Sequence, residues 1–202
     1  MSDYDQDYFF IRGDENNERR PALKPDMNTS ERRYAQFPPS PGSAPLIFTN
    51  AFKEEFLAAR VKDEACDILF DGIYFIVRDH IRERLLQLDI PDVFLHPAVY
   101  IDDRGNWHED YWFVGVQNEL DCWDREKSTF GKKTVVIGDE TLYNMFSYSL
   151  NTKLLDEKPL RDRLLFKMGG TARGLITCHK SIAGVFRGGG KSGAQLQAIT
   201  DY

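Results

Sequence analysis

The chain has 202 residues, of which 42% are hydrophobic and 13% aromatic, enough for the core of one sizeable domain. This composition excludes a disordered chain, and no run of about 18 apolar residues predicts a membrane span. The start, Met1 to Asp5, has neither the basic nor the apolar region of a secretory signal, so we expect a cytoplasmic protein. Three widely spaced cysteines, Cys66, Cys122 and Cys178, fit free thiols better than disulfides.

The first quarter of the chain predicts one strand and one long connection. Residues 8–11 form an aromatic and β-branched run that ends at a turn. Residues 14–45 are dominated by charge, Asn, Ser and Pro, so we expect a surface or flexible connection rather than core. A strand at 46–48 should then lead into a helix capped by Thr49 or Asn50, with helical spacing of the apolar side chains Phe52, Phe56 and Leu57.

Two stretches, residues 73–95 and 174–199, show the same order of a strand, a helix and a second strand. Their helices match at two apolar positions, Ile81 on Ile182 and Leu85 on Phe186. The match indicates a degenerate internal repeat of two strand-helix-strand units.

The centre of the chain predicts strands at 99–101, 111–116 and 134–137, the first two joined as a hairpin. Both faces of 111–116 are apolar, so this strand should be central in its sheet. We therefore expect an α+β fold, with a mixed, mainly antiparallel sheet flanked by short helices, in one domain over residues 1–202.

An acidic segment, residues 102–126, holds all three tryptophans. Its eight carboxylates against two arginines give it six negative charges, equal to the net charge of −6 of the whole chain. Aromatic anchors in a field of one sign suit a surface that binds a basic partner, although tryptophans in a strand-rich segment are more often core. The candidate partner-binding residues are Asp102, Asp103, Trp107, Glu109, Asp110, Asp121, Trp123, Asp124 and Glu126.

Motifs for catalysis, metals and nucleotides fail on spacing. Residues 188–192 resemble the end of a phosphate-binding loop, but Val185 stands where its first glycine should be. Asp121 and Asp124 lack the further oxygen ligands that a divalent cation needs. Cys178 and His179, neighbours at a strand end, should point to opposite faces. We expect no catalytic residues, no metal and no cofactor.

The order of these elements resembles the eleventh family of immunity proteins from bacterial polymorphic-toxin systems. The most specific part is the aromatic strand 111–116, which leads to an Asp-x-x-Asp-x-x-x-Ser pattern at Asp121, Asp124 and Ser128; the late strand at Phe166 to Met168 supports it. The chain departs from the family in its Pro-rich segment, its triglycine and Cys178-His179. The resemblance implies an inhibitor of a cognate toxin.

The residues and the resemblance favour a non-catalytic protein that acts by contact on a toxin effector with a basic cleft, such as a nuclease, without direct contact to nucleic acid or membrane. Residues 158–191 carry eight basic side chains and one acid, and either bind an acidic patch of the toxin or offset the acidic segment within the fold. Two alternatives stay open. One is a small enzyme that uses Asp121 and Asp124, with Cys178 or His179, on a nucleotide or small molecule, and the other is a secretion-system adaptor.

Overall fold

The computed structural model describes residues 4–187 and 191–202. The strands are β1 Tyr8–Gly13, β2 Leu23–Pro25, β3 Leu46–Asn50, β4 Ile68–Asp71, β5 Tyr74–Arg78, β6 Val93–Ile101, β7 Trp107–Val116, β8 Glu119–Leu120, β9 Thr129–Ile137, β10 Glu140–Ser147, β11 Leu165–Met168, β12 Ile176–His179 and β13 Ala194–Ala198. The helices are α1 Met27–Ser30, α2 Lys53–Ala59, α3 Asp79–Leu88, α4 Thr152–Asp156 and α5 Lys180–Phe186, with 3-10 turns at Leu160–Arg163 and Ile199–Asp201. Within the described ranges, every helix is too short or too polar to cross a bilayer.

A six-stranded sheet has the order β2-β3-β6-β7-β5-β4, in which only the β3–β6 pair is parallel. Strand β7 lies between β6 and β5, which confirms the central position predicted for residues 111–116. The turn at residues 102–106 joins β6 and β7 as the predicted hairpin. Together with the short helices, this gives the expected α+β fold with mixed, mainly antiparallel sheets.

A five-stranded sheet has the order β13-β1-β12-β11-β8. It contains the strands of the second predicted strand-helix-strand unit. In each unit, β5-α3-β6 and β12-α5-β13, the two flanking strands are parallel and a third strand lies between them, antiparallel to both. That third strand is β7 in the first unit and the N-terminal strand β1 in the second. The order β6-β7-β5-β4 therefore matches β13-β1-β12-β11, with one strand supplied from the other end of the chain.

The two sheets pack face to face around the matched helices. Ile81 and Leu85 of α3 and Ile182 and Phe186 of α5 are all buried in one apolar cluster that both sheets line. Burial of such side chains stabilises the fold by roughly 1.5–3 kcal/mol each. The apolar positions that predicted the repeat are thus the positions that hold the sheets together.

The second face of the six-stranded sheet is covered by the segment expected to be a surface or flexible connection, and that expectation is wrong for its middle part. The ring of Tyr34 is buried and meets Phe48 and Phe113 edge to face, with ring centroids 5.7 and 5.1 Å apart. Its hydroxyl donates to Asp71 Oδ2 at 2.7 Å. Since a two-faced apolar sheet needs a cover on both faces, this segment contributes core, whereas the Pro-rich residues 36–45 are largely exposed.

Helix α2 forms as predicted, but Thr49 and Asn50 do not cap it. Asn50 ends β3, and its Oδ1 accepts from the Phe52 backbone N–H at 3.0 Å, two residues away, so the helix begins only at Lys53. Phe52 and Leu57 are exposed, and the helix buries none of its own residues. The apolar spacing in this segment therefore indicates a helix but not a core contact.

Candidate functional site

The acidic segment divides between the two ends of β7. Residues 102–110 lie at the start of the strand, and residues 119–126 follow its end. A strand rises about 3.3 Å per residue, so the six β7 residues from Tyr111 to Val116 separate the two groups by roughly 20 Å along the strand. The predicted concentration of charge in one place is thus corrected to two separate groups, the β7-start group and the β7-end group.

In the β7-start group, Asp102 and Asp103 are engaged by their own chain. Asp102 accepts from the Asn106 side chain and backbone and from the Arg104 backbone, and these bonds outweigh burial and lower its pKa. Asp103 accepts from Asn50 Nδ2 at 3.0 Å, and burial raises its pKa. Both carboxylates hold the 102–106 turn in place, which leaves them little capacity for a partner.

The remaining members of the β7-start group differ in exposure. Trp107 is 58% exposed and Glu109 is exposed, so both can reach a partner. Asp110 accepts from Arg78, whose guanidinium lies 4.6 Å over the Tyr111 ring. One ring and one carboxylate therefore stay free at this end.

Trp123 does not lie on the surface, which corrects its prediction as an exposed anchor. Its ring is 1% exposed and packs edge to face on Phe130 and Tyr143, with centroids 5.3 and 5.5 Å away. Arg125 lies 3.5 Å over the indole and donates to the Trp123 carbonyl at 3.0 Å. Phe130 and Tyr143 come from β9 and β10, so this aromatic cluster ties that hairpin to the body of the protein.

The carboxylates of the Asp-x-x-Asp-x-x-x-Ser pattern have local structural partners. Asp124 accepts from the backbone N–H of Glu126 and Lys127, which lowers its pKa. Ser128 Oγ accepts from the Ser149 backbone N–H at 2.9 Å. Asp121 is exposed and pairs with Arg125 at 2.5 Å. The pattern thus shapes the turn that leads into β9, and leaves the first aspartate at the surface.

Around Asp121 lies an open concave surface, which we call the acidic trough. Three adjoining cavities of about 280, 180 and 460 Å³ all include Asp121 in their walls. Arg125 and Lys158 are the cations of these walls, and the carboxylates are Glu119, Asp121, Asp124, Glu126, Glu140 and Glu157. All of these carboxylates except Asp124 are exposed. The trough therefore offers a concave surface of net negative charge.

Of the residues named in the enzymatic alternative, Asp121 and Asp124 line one cavity, but Cys178 and His179 do not lie in its walls. Cys178 lies in the core between the sheets, where burial raises the pKa of its thiol to about 12. His179 Nδ1 accepts from the Ser181 backbone N–H at 3.2 Å and caps α5, and burial lowers its pKa. In the described part of the chain, no three His, Cys, Asp or Glu residues are placed to hold a metal.

The phosphate-loop resemblance falls partly on residues 188–190, which lie outside the described residues. Of its remainder, the carbonyls of Lys191 and Ser192 accept from the backbone at the start of β4. Gly193 follows with φ +72°, and a Cβ there would lie 2.3 Å from the carbonyl oxygen of Ile68. The glycine is needed for this close approach to β4.

Many basic side chains of residues 158–191 have partners within the fold. Arg161 pairs with Asp89 at 2.5 Å, and Lys180 pairs with Asp7 at 2.7 Å. Arg163 donates to the Tyr8 hydroxyl at 3.1 Å. The two ion pairs agree with the interpretation that part of the basic region offsets acids within the fold.

Sequence reasoning missed the exposed tip of the β9–β10 hairpin and the contributions of Glu140 and Glu157 to the trough. Val136 and Ile137 are 65% and 62% exposed, although their strand was predicted. The available signal was the Gly138-Asp139 turn directly after an apolar run, which marks a hairpin end. The alternation of side chains along a strand does not show whether another part of the protein packs over that strand.

The family of the chain follows from comparison with known proteins. No curated protein matches the chain. A family model described as immunity protein family (Imm11) matches residues 10–168, most of the chain, which confirms the resemblance noted in the sequence. The matched region begins in β1 and ends with β11, and it includes the trough residues and the whole β9–β10 hairpin. The chain belongs to the Imm11 immunity protein family.

Proposed function

We propose that the chain is a cytoplasmic immunity protein that binds and neutralises a cognate toxin. In this proposal, the acidic trough covers a basic active site or substrate-binding site of the toxin. The observation that carries the proposal is the set of exposed carboxylates around Asp121, on a concave surface where the described wall residues include six carboxylates and two cations, and Lys127 pairs with the wall residue Asp124. A toxin that acts on nucleic acid needs a basic cleft for phosphates, and the exposed carboxylates of the trough can pair with the basic side chains that border such a cleft. Inhibition is then steric and electrostatic, and the chain itself needs no catalytic residue.

The trough is preferred to the β7-start group because more of its carboxylates are available: Asp121 and Asp124 are paired with Arg125 and Lys127, but within the described residues the exposed Glu119, Glu126, Glu140 and Glu157 form no ion pair. Asp102 is bonded to its own turn, Asp103 to Asn50 of β3, and Asp110 to Arg78. Rim charges raise the association rate only if they face solvent. Trp107 and Glu109 form the second candidate contact region, and variants there distinguish the two.

The test uses the partner that co-purifies with this chain from the cells that encode it. That partner, expressed in a host without this chain, should arrest growth, and co-expression of the wild-type chain should restore it. Charge reversal of Glu119, Glu126 and Glu140 to Lys should weaken the protection. The matched control reverses three exposed carboxylates elsewhere, Glu54, Glu55 and Glu83, and should protect like the wild type.

Failure of the wild-type chain to protect would refute the immunity function, and a partner without toxicity would favour the adaptor alternative. Full protection by the folded trough variant would leave the immunity function in place and remove the trough as the contact surface.

A further inference from the structure

The β9–β10 hairpin projects from the body of the protein. It forms a two-stranded sheet of its own, and its end residues 134–141 are exposed on both strands. A two-residue turn closes it, with Gly138 at φ +61° in the first central position, where this conformation suits the twist of a hairpin. A ribbon open to solvent on both faces gains little from burial, so its apolar residues are not explained by the fold of this chain.

The tip of this hairpin is apolar on both faces. In the register of the hairpin, Val135 lies opposite Leu142 and Ile137 opposite Glu140, so the first three side chains form one apolar strip with a carboxylate at its end. Val136 projects from the other face and is 65% exposed. Exposed apolar runs on a strand promote association unless a partner covers them.

The base of the hairpin is fixed to the body, which pre-organises the tip. Phe130 and Tyr143 lie 5.0 Å apart in the aromatic cluster with Trp123. The Tyr143 backbone N–H donates to the Gly170 carbonyl at 3.1 Å, and the Tyr143 carbonyl accepts from Ala172 at 2.9 Å. A rigid arm loses little conformational entropy when a partner binds it.

The charges around the tip select the kind of partner. Asp139 and Glu140 form and flank the turn, and Glu140 lines one cavity of the trough together with Glu119 and Asp121. In a two-fold contact made tip to tip, the Asp139 and Glu140 carboxylates of two copies would approach one another, because Lys132 lies further from the turn on β9. A toxin groove with an apolar floor and a basic rim would meet both the apolar strip and the carboxylates.

We propose that the β9–β10 hairpin is an insertion arm that places Val135, Val136 and Ile137 in an apolar groove beside the basic site of the toxin. This inference rests on the proposed function and adds to it the residues that anchor the complex. The trough then governs encounter, and the arm governs how long the complex lasts.

The test measures dissociation of the purified toxin from variants truncated at the tip. The double variant Val136→Ala/Ile137→Ala should dissociate about tenfold faster or more, because buried apolar anchors act mainly on the dissociation rate. Its thermal midpoint should match the wild type, since both side chains are exposed. The control Leu57→Ala/Leu86→Ala removes two leucines, 54% and 53% exposed, on α2 and α3, and should dissociate at the wild-type rate.

Hydrogen exchange in the complex supplies an independent readout, with backbone amides of residues 134–142 expected to gain protection. If the wild-type chain binds the toxin, but the tip variant dissociates at the wild-type rate and residues 134–142 gain no protection, the proposed role of the hairpin is wrong. The proposed function would then still stand. A wild-type dimer that the tip variant converts to monomer would assign the tip to self-association and overturn the proposal. Absence of any toxin binding by the wild-type chain would refute both proposals.

Discussion

Replacement of Trp123 by Ala tests whether this ring is core. A buried tryptophan removes up to about 250 Å² from water, worth roughly 6 kcal/mol at about 25 cal/mol per Å² as an upper estimate. The indole Nε1 is buried without a hydrogen-bond partner, so its removal returns about 1–3 kcal/mol. We therefore expect a loss of about 3–5 kcal/mol in the free energy of unfolding, the range measured for such truncations.

Urea unfolding without any partner measures this loss. With a slope of about 2–3 kcal/mol per molar urea, the midpoint should fall by roughly 1–2.5 M. Trp123→Phe keeps an aromatic ring for Phe130 and Tyr143 and removes the unbonded N–H, so it should lose less than half as much. An unchanged midpoint together with faster dissociation of the toxin would refute the core assignment and return Trp123 to the interface.

Three further predictions concern the cover, the pH dependence and the thiols. Tyr34→Ala should lower the free energy of unfolding by about 3 kcal/mol, because it removes the buried ring. Tyr34→Phe loses only the hydrogen bond to Asp71 and should lower it by about 1 kcal/mol. Equal urea midpoints for both variants and the wild type would show that the segment is not core. Burial lowers the folded-state pKa of His179, so the unfolded chain binds more protons, and stability should fall as the pH drops below about 6.5 towards that lower pKa. His179→Asn, which keeps a capping oxygen, should flatten this dependence in unfolding titrations, and an unchanged slope would contradict the assignment. Burial raises the pKa of the Cys66 thiol to about 11 and those of Cys122 and Cys178 to about 12. A thiol reagent at pH 8 should therefore react with these cysteines only when the chain unfolds. Rapid labelling of the native chain would contradict their burial.

The spacing of apolar residues predicted many of the helices and strands, because these elements depend on residues that are close together in the chain. The apolar spacing at Ile81 and Leu85, and again at Ile182 and Phe186, placed both helices and the repeat. The pairing of strands within each sheet was not predictable in this way. Strand β1 enters the second unit from the other end of the chain, a pairing that no local pattern records.

The candidate site was harder to predict, because exposure depends on distant residues. Trp123 is buried by Phe130 and Tyr143, and Tyr34 covers a sheet face from within a segment of polar composition. Charge counting found the acidic segment but could not show that β7 separates its two groups. The trough forms only when the chain brings Glu140 beside Asp121.

The most direct test of contact through the trough is the association rate of the purified toxin, measured against ionic strength. For the wild-type chain, we expect association to slow steeply with salt, since the screening length is only about 10 Å at 0.1 M. Reversal of Glu119, Glu126 and Glu140 to Lys should lower the low-salt rate at least about tenfold and flatten the salt dependence. Equal rates for this variant and the wild type at every salt concentration would contradict the account, and loss of rate on reversal of Glu109 instead would place the toxin against Trp107.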